Sequence, residues 1–283
     1  MLYHFMRFMV RISLHFYNKR IGWEGVENIP LGKPILFAPT HSNSFIDALF
    51  IAASLPQGVY CLARGDAFRK PLANKILRHF KVLPIFRQAD EGRNIISKNE
   101  ATFQECQELF RQNEWILIFP EGYAQYQTTV LPLKKGFVTM AQRAWADGID
   151  VQIVPVSITY DSFTKWGKKC DIVFNKAIQS MDVQGTAIQQ EKQLYEILHA
   201  RLSANFPSPY QFKGTKLLWG WFGQGLYHAG WVVQFPVYFL TQYIAKKRTH
   251  GTVFYDSAII GLLSVLLIFY YLIAACIILI ALF

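Results

Sequence analysis

Short apolar runs alternate with amphipathic segments from Gly25 to about Ala204. The apolar runs are rich in β-branched and aromatic residues, which predicts strands. They lie at Pro34–Ala38, Val59–Ala63, Lys81–Phe86, Trp115–Phe119, Val151–Tyr160 and Asp171–Phe174. A helical period predicts helices in the intervals, at Asp47–Leu55, Leu72–Phe80, Ala101–Arg111, Phe137–Ala146 and Gln189–Leu202. This alternation predicts an α/β fold, a mixed sheet flanked by helices.

The first 24 residues show a helical period of their own. Polar side chains recur at steps of three and four residues, at His4, Arg7, Arg11, His15 and Asn18. The two arginines interrupt the apolar residues and no small-residue cleavage site follows, so a secretory signal peptide is not indicated. We predict an amphipathic helix that lies on a membrane surface with its arginines towards acidic lipid. The alternative is a helix packed on this protein's own core.

The composition changes after Ser208. Residues 217–245 contain no Asp, Glu, Lys or Arg but many aromatic residues and glycines, and Trp and Tyr are typical of the membrane–water boundary. Residues 258–283 carry no charge, and a helix of that length reaches ~39 Å, enough to cross the ~30 Å hydrocarbon layer when tilted. Between them lies the basic cluster at 246–248. If residues 217–245 crossed the bilayer, this cluster would lie on the side opposite the α/β domain, and the tendency of basic residues to stay on the cytoplasmic side argues against that crossing.

We therefore predict four segments. Residues 1–24 form the N-terminal amphipathic helix, 25–205 the α/β domain, 206–257 an aromatic interfacial or re-entrant segment, and 258–283 a transmembrane segment. A shallow hairpin within 258–283 is the alternative to a single span.

The overall composition agrees with a membrane protein that has an anionic partner. Hydrophobic residues make up 52% of the chain and charged residues only 17%, while the net charge is +10. Such a charge suits nucleic acid, a phosphate-bearing substrate or an acidic lipid surface. Because the charge borders membrane-like sequence and no nucleic-acid recognition motif is present, we expect no nucleic-acid partner. The four cysteines lie far apart without a CxxC pair, which indicates reduced thiols in a reducing compartment.

The stretch PTHSNSFIDAL places His41 and Asp47 in a loop between a predicted strand and a predicted helix. Such loops commonly present reactive groups in α/β proteins. A histidine titrates near pH 6.5 and suits a general base, and a carboxylate can orient its ring. Asp47 also fits a capping box with Ser44 as the N-cap, and the two roles are compatible, so we expect Asp47 to cap the helix and to orient His41.

Three further stretches place charged residues at the ends of predicted elements. Arg87 follows the strand in KVLPIFR, Glu121 and Gly122 lie in the turn of FPEG, and Lys134 and Lys135 lie in LPLKKGF. Each alone fits an ordinary strand end, turn or surface pair. Together, at element boundaries of one α/β chain, they indicate a single site. Arg87 can bind a phosphate through two parallel hydrogen bonds, and either lysine can add positive charge.

Residues from about Trp23 to Ile178 resemble the glycerol-phosphate acyltransferase family, which acylates glycerol 3-phosphate, dihydroxyacetone phosphate and lysophosphatidic acid. The resemblance is carried by THSNSFIDAL, LPIFR, FPEG and IVPV. It implies that His41 is the general base, that Asp47 orients it, that Arg87 contacts phosphate and that Glu121 helps to hold the glycerol part. It also implies that the domain at 25–205 is the catalytic domain.

The chain departs from the common family pattern at two places. Five residues separate His41 from Asp47, whereas most of the family has four. This longer spacing, with Asn43 two residues after the histidine, resembles a branch that includes first-step acyltransferases. Tyr123 follows FPEG, where the family usually has a small or hydroxyl-bearing residue.

These residues suit direct transfer from a thioester. A thioester is already activated, so the enzyme has to deprotonate an alcohol and place it, and base catalysis contributes ~10²–10⁴-fold. The chain lacks GxSxG, and direct attack needs no nucleophilic serine. HExxH, P-loop and dinucleotide-binding glycine motifs are also absent from the sequence, so we expect no metal and no cofactor beyond the acyl donor.

The sequence therefore predicts a membrane-bound O-acyltransferase of phospholipid biosynthesis with its catalytic domain on the cytoplasmic face. It would move a fatty acyl group from acyl-CoA or acyl carrier protein to the hydroxyl of lysophosphatidic acid. Glycerol 3-phosphate or dihydroxyacetone phosphate is the alternative acceptor. A non-catalytic lipid-binding membrane protein and a thioesterase that uses a His–Asp pair are the competing interpretations.

Overall fold

The structure, a computed structural model, describes residues 1–86, 95–206 and 220–282. Within these ranges one sheet is built from β1 (Asn18–Glu24), β2 (Ile35–Pro39), β3 (Val59–Arg64), β4 (Val82–Ile85), β5 (Trp115–Leu117), β6 (Gln152–Tyr160) and β7 (Lys168–Phe174). The strand order is β1-β7-β6-β2-β5-β3-β4. β6 and β7 are antiparallel and the other neighbours are parallel, so the sheet is mixed, as predicted.

Helices cover both faces of the sheet. They are α1 (Leu2–Tyr17), α2 (Phe45–Ser54), α3 (Pro71–His79), α4 (Ile95–Arg111), α5 (Gly136–Ala146), α6 (Ala187–Ser203), α7 (Gly220–Thr249) and α8 (Tyr255–Leu282). Side chains of α1, α2 and α8 pack in the core on one face, and those of α4, α5 and α6 pack on the other. Successive residues of β2 point to opposite faces, so Leu36 enters one core and Phe37 the other. Burial on both faces explains why this strand reads as a continuous apolar run.

The six predicted strands are all present, with ends shifted by up to three residues. The prediction of one helix over residues 1–24 is wrong at its C-terminal end, because α1 ends at Tyr17 and Asn18–Glu24 form β1. β1 is an edge strand that pairs in parallel with β7. Its sequence NKRIGWE alternates polar and apolar residues only briefly, so it carries little of the period that predicts a strand.

The arginines of α1 face protein instead of lipid. Arg7 donates to the carbonyl of Leu55, and Arg11 donates to the carbonyls of Ala53 and Ser54 at 2.7 and 3.2 Å. These carbonyls lie at the C-terminal end of α2, where a helix dipole favours cations. α1 also buries Met9, Leu14, Phe16 and Tyr17 in the core. The alternative interpretation, a helix packed on this protein's own core, therefore describes α1, although Leu2, Phe5 and Phe8 stay exposed.

The C-terminal part forms two long helices. The predicted segment 206–257 contains residues 207–219, which lie outside the described residues, and α7, which is continuous through Pro236. Neither a re-entrant loop within α7 nor a hairpin within α8 is present in the described residues. One helix, over Tyr255–Ile277, is long and apolar enough to cross a membrane, with a mean hydropathy of 2.6.

α8 has two parts with different surroundings. Its first half buries one face in the core through Ile259, Ile260, Leu263 and Leu267. Its second half exposes large apolar side chains at Phe269, Tyr271, Leu272, Ile273, Ile277, Leu279 and Ile280. The packed half joins α8 to the α/β domain, and the exposed half is an unusually large apolar surface. Crossing of a bilayer by residues 258–283 stays a prediction.

Gly25 ends β1 in a left-handed conformation with φ of 68°, and a Cβ atom there would overlap the carbonyl oxygen of Phe174. We expect Gly25→Ala to lower the free energy of unfolding by about 3 kcal/mol, because strain and overlap add. Gly32→Ala is the matched control, since Gly32 has φ of 77° with open space around it. We expect that control to cost about 1–2 kcal/mol. Equal losses in denaturant titrations of the two variants would contradict the overlap.

Candidate active site

The carboxyl ends of parallel strands bring the motifs that the sequence analysis identified to one edge of the sheet. β5 and β6 each pair in parallel with β2, so all three strands end at the same edge of the sheet. His41 lies two residues beyond β2, the FPEG turn follows β5, and Tyr160 is the last residue of β6. Ligand and catalytic sites of α/β sheets commonly form at such an edge.

His41 and Asp47 meet across the loop that joins β2 to α2. His41 Nδ1 lies 3.1 Å from Asp47 Oδ2, and the Asp47 side chain is fully buried whereas the His41 side chain is 15% exposed. The imidazole stacks on the ring of Phe119, with centroids 3.6 Å apart and planes inclined by 13°. Because Asp47 engages Nδ1, Nε2 is the ring nitrogen that can exchange a proton with a substrate.

Asp47 has two further donors. Its Oδ2 accepts from the backbone N–H of Asn43 at 2.7 Å, and its Oδ1 accepts from the hydroxyl of Tyr160 at 2.5 Å. Burial, followed by the charge of Asp47, raises the pKa of Tyr160 well above its usual value. The phenol therefore stays protonated and acts as a donor at neutral pH. A tyrosine from β6 thus helps to orient the His–Asp pair.

Tyr160 was not among the predicted site residues. It is the last residue of the predicted strand Val151–Tyr160, but unlike the predicted site residues it carries neither a charge nor a recognised motif. Its position at a strand end is the feature of the sequence that points to a place in the site. Its contact with Asp47, 113 residues away, needed the strand order.

The capping-box interpretation of Asp47 is wrong. Ser44 is the N-cap residue of α2 with φ of 54°, and its side chain makes no capping hydrogen bond to a described residue. Asp47 instead turns back to the backbone N–H of Asn43, one residue before the N-cap. The left-handed turn at Ser44 brings this N–H and the His41 ring onto the same carboxylate.

Glu121 is also fully buried and is surrounded by protein donors. It accepts from the backbone N–H of His41 at 2.8 Å, from that of Leu131 at 3.0 Å, and from Gln127 Nε2 at 2.8 and 3.0 Å. Burial raises its pKa above the usual value, and these hydrogen bonds oppose the rise. Glu121 therefore ties the backbone of His41 to the loop that follows the FPEG turn.

The remaining predicted site residues do not all lie at the FPEG turn. Gly122 has φ of 76°, and a Cβ atom there would lie 3.1 Å from Cγ of Lys134, so the exposed Lys134 side chain runs over the FPEG turn. Lys135 instead points to α6, where its Nζ lies 3.2 Å from Glu191 Oε2. Arg87 lies outside the described residues. Its neighbour Phe86 is fixed by two backbone hydrogen bonds of 2.9 Å to the Asn99 side chain.

The arrangement is suited to proton transfer by an imidazole. A histidine with one ring nitrogen fixed by a carboxylate can accept a proton at the other, and the carboxylate stabilises the resulting positive charge. Among the described residues no group of three or more His, Cys, Asp or Glu side chains is placed to hold a metal ion.

Comparisons with known proteins agree with these motifs. Residues 20–159 match the protein-family model described as Acyltransferase. The 1-acyl-sn-glycerol-3-phosphate acyltransferase BAT2, chloroplastic, of Brassica napus is 26% identical over 159 residues, which are 55% of this chain and 42% of that relative. The chain therefore matches less than half the length of this relative.

A solved structure is also similar. It is the 1-acyl-sn-glycerophosphate (LPA) acyltransferase PlsC from Thermotoga maritima, at 19% identity and a TM-score of 0.49, over 69% of this chain and 76% of that chain. The family match spans β2, the His41 loop, the FPEG turn and nearly all of β6. Over residues 20–159, just under half of its length, the chain is therefore similar to the Acyltransferase family.

Proposed function

We propose that this chain is a membrane-associated O-acyltransferase. It moves a fatty acyl group from acyl-CoA or acyl carrier protein to the free hydroxyl of 1-acyl-sn-glycerol 3-phosphate. The observation that carries the proposal is the 3.1 Å contact between His41 Nδ1 and the buried Asp47. The acceptor is supported by the Brassica napus relative, which is named for this activity.

The proposed reaction is a direct transfer. Nε2 of His41 takes the proton of the acceptor hydroxyl as its oxygen attacks the thioester carbonyl carbon. The carbon–sulfur bond then breaks, and the imidazolium returns the proton to the departing thiolate, so no acyl-enzyme forms. Asp47 stabilises the transient imidazolium, and Tyr160 and the Asn43 N–H keep its carboxylate in place.

The other motif residues have supporting roles in this proposal. Arg87 binds the acceptor phosphate, and Lys134, beside the FPEG turn, adds positive charge. Glu121 acts mainly on the protein itself, because its two oxygens already accept from His41, Gln127 and Leu131. Lys135 contributes less, since its ammonium group pairs with Glu191.

A second candidate acceptor is glycerol 3-phosphate or dihydroxyacetone phosphate. The five residues between His41 and Asp47, together with Asn43, favour it, because they resemble the branch that includes first-step acyltransferases. Both acceptors present a hydroxyl and a phosphate, so the same base and the same cations would serve them.

Association with a membrane follows from the substrates and from the exposed half of α8. A long acyl chain prefers hydrocarbon at ~0.8 kcal/mol per buried CH₂. The exposed part from Phe269 to Ile280 is about 18 Å long, which is shorter than the ~30 Å hydrocarbon layer. We propose that this part enters the bilayer while the packed half keeps the site close to the surface. The basic cluster at 246–248 favours the cytoplasmic side.

The activity can be tested with purified protein in lipid vesicles. Each acceptor is offered with acyl-CoA and with acyl carrier protein, and products are identified by mass spectrometry. We expect the wild type to acylate 1-acyl-sn-glycerol 3-phosphate and His41→Ala to lose ~10²–10⁴-fold in rate, because it lacks the base. His199→Ala, an exposed histidine of α6, is the control and should be as active as the wild type.

The outcomes separate the candidates. Acylation of glycerol 3-phosphate alone would show that the second candidate is the acceptor. Free fatty acid released without any acceptor would indicate a thioesterase. A His41→Ala variant with wild-type activity would exclude the proposed base.

Tyr160→Phe should reduce kcat/KM about 10-fold, since a hydrogen bond to a charged group contributes roughly 1.5–3 kcal/mol. Without the tyrosine, the Asp47 carboxylate loses a donor that holds it beside the imidazole. Tyr195→Phe, on α6, is the matched control. A wild-type kcat/KM in Tyr160→Phe would show that the hydroxyl does not support the pair.

Ile273→Asp and Ile277→Asp should each weaken partition into vesicles. Both side chains are 61% exposed, and an aspartate costs less near the surface than at the hydrocarbon centre, where it costs about 2.5–3.5 kcal/mol, so roughly 100-fold in partition is the upper limit and Ile277→Asp should have the larger effect. Met181→Asp is the control, because Met181 is 75% exposed on the α/β domain. Equal vesicle sedimentation of the three variants would contradict insertion of α8.

A further inference from the structure

Asp256 is a fully buried carboxylate in the first turn of α8, 209 residues after Asp47. Its Oδ1 accepts from the Tyr17 hydroxyl at 2.6 Å. Its Oδ2 accepts from the Asn43 side-chain amide at 2.7 Å and pairs with the buried ammonium group of Lys168. The donors come from the end of α1, the His41 loop and β7, so one carboxylate joins three parts of the chain to α8.

Asn43 connects this carboxylate to the proposed catalytic pair. Its side chain donates to Asp256, and its backbone N–H donates to Asp47 at 2.7 Å. The neighbouring Ser257 hydroxyl accepts from the backbone N–H of Ile46 at 3.1 Å, within the first turn of α2. A continuous series of hydrogen bonds therefore runs from α8 through Asn43 to Asp47 and His41.

The turn before α8 makes a further contact with the site. Tyr126, in the loop after the FPEG turn, donates to the carbonyl of Thr252 at 2.9 Å and stacks on Phe163. Phe163 also provides the carbonyl that accepts from Lys168 at 2.5 Å. The start of α8 thus contacts both loops that surround His41.

A purely structural ion pair would not need this arrangement. Burying two charges costs several kcal/mol per ion before pairing, and apolar replacements of a buried pair are often neutral or stabilising. Burial lowers the pKa of Lys168, and the charge of Asp256 opposes that change. An apolar pair could fill the same space, but it would offer no acceptor to the Asn43 amide.

We propose that Asp256 is a positioning residue for acyl transfer, which acts through Asn43 to hold the His41–Asp47 loop in its reactive geometry. The proposal rests on the proposed function of His41. In this proposal, α8 supports the active site in addition to carrying the exposed apolar surface. Asp256 touches no reacting atom in this account, so its loss should lower kcat more than it changes KM.

The test compares three variants in the full-length protein. Asp256→Asn removes the charge. Tyr17→Phe/Lys168→Met/Asp256→Leu makes the cluster apolar while it keeps the packing and leaves Asn43 without its acceptor. Ser264→Ala is the matched control, because Ser264 is also buried on α8 but contacts Ser13 of α1 at 3.0 Å instead of the His41 loop.

We expect kcat of Asp256→Asn and of the apolar triple variant to fall ~10–100-fold, the effect of about 1 Å of misplacement, with KM changed less than about threefold. The thermal midpoint of the triple variant should be higher than that of Asp256→Asn, because no unpaired charge remains. A triple variant with wild-type kcat would overturn the proposal and leave only a structural ion pair. Ser264→Ala should keep wild-type kcat.

Two measurements separate this proposal from the proposed function. Hydrogen–deuterium exchange of residues 41–47 should increase in the triple variant and not in Ser264→Ala, whatever the activity is. Unchanged exchange would overturn the positioning role, whereas a wild type inactive on both acceptors would overturn the function. In a double-mutant cycle, Asn43→Ala and Asp256→Asn should be non-additive in kcat, and additive losses would show that Asp256 does not act through Asn43.

Discussion

The short loop from Thr40 to Ser44 is held by buried carboxylates, and the candidate site depends on this constraint. Glu121 accepts from the His41 backbone, Asp47 accepts from the Asn43 backbone and faces the His41 ring, and Asp256 accepts from the Asn43 side chain. All three carboxylates are fully buried. A buried charge without donors is costly, so each one requires its loop contacts and in turn fixes them. The position of the imidazole results from these three requirements together.

The FPEG turn therefore has a structural role in addition to its proposed chemical role. Glu121 joins His41 to Gln127 and Leu131, and the left-handed Gly122 lets Lys134 lie against the turn. The turn therefore contacts both the backbone of the proposed base and the side chain of a lysine. A base and a phosphate-binding group must be fixed relative to each other if an alcohol on the same small molecule is to be activated.

In the proposed function, α8 would link the reaction to the environment of its substrates. Its first half is packed in the domain core and begins with Asp256, while its second half exposes large apolar side chains. An acyl chain and a phosphate head group meet only at a membrane boundary, and a helix with one end in the site and the other in lipid would place the reaction there. The same helix would then supply both the location of the enzyme and part of the rigidity of its base.

Most strands and helices of the α/β domain can be predicted from the residues alone, because burial on one or two faces leaves a local pattern, such as the continuous apolar run Ile35–Pro39. The same pattern places His41 and Glu121 shortly after strands and Asp47 at the start of the helix that follows, near the edge where an α/β sheet collects its functional groups. The packed fold is needed to see that β1 joins the sheet, that Arg7 and Arg11 donate to carbonyls at the end of α2, and that Tyr160 and Asp256 accept or donate hydrogen bonds at Asp47 and Asn43. These contacts join residues 42 to 213 positions apart. They depend on strand order and on the packing of α1 and α8 against the sheet, and no local pattern of residues encodes that.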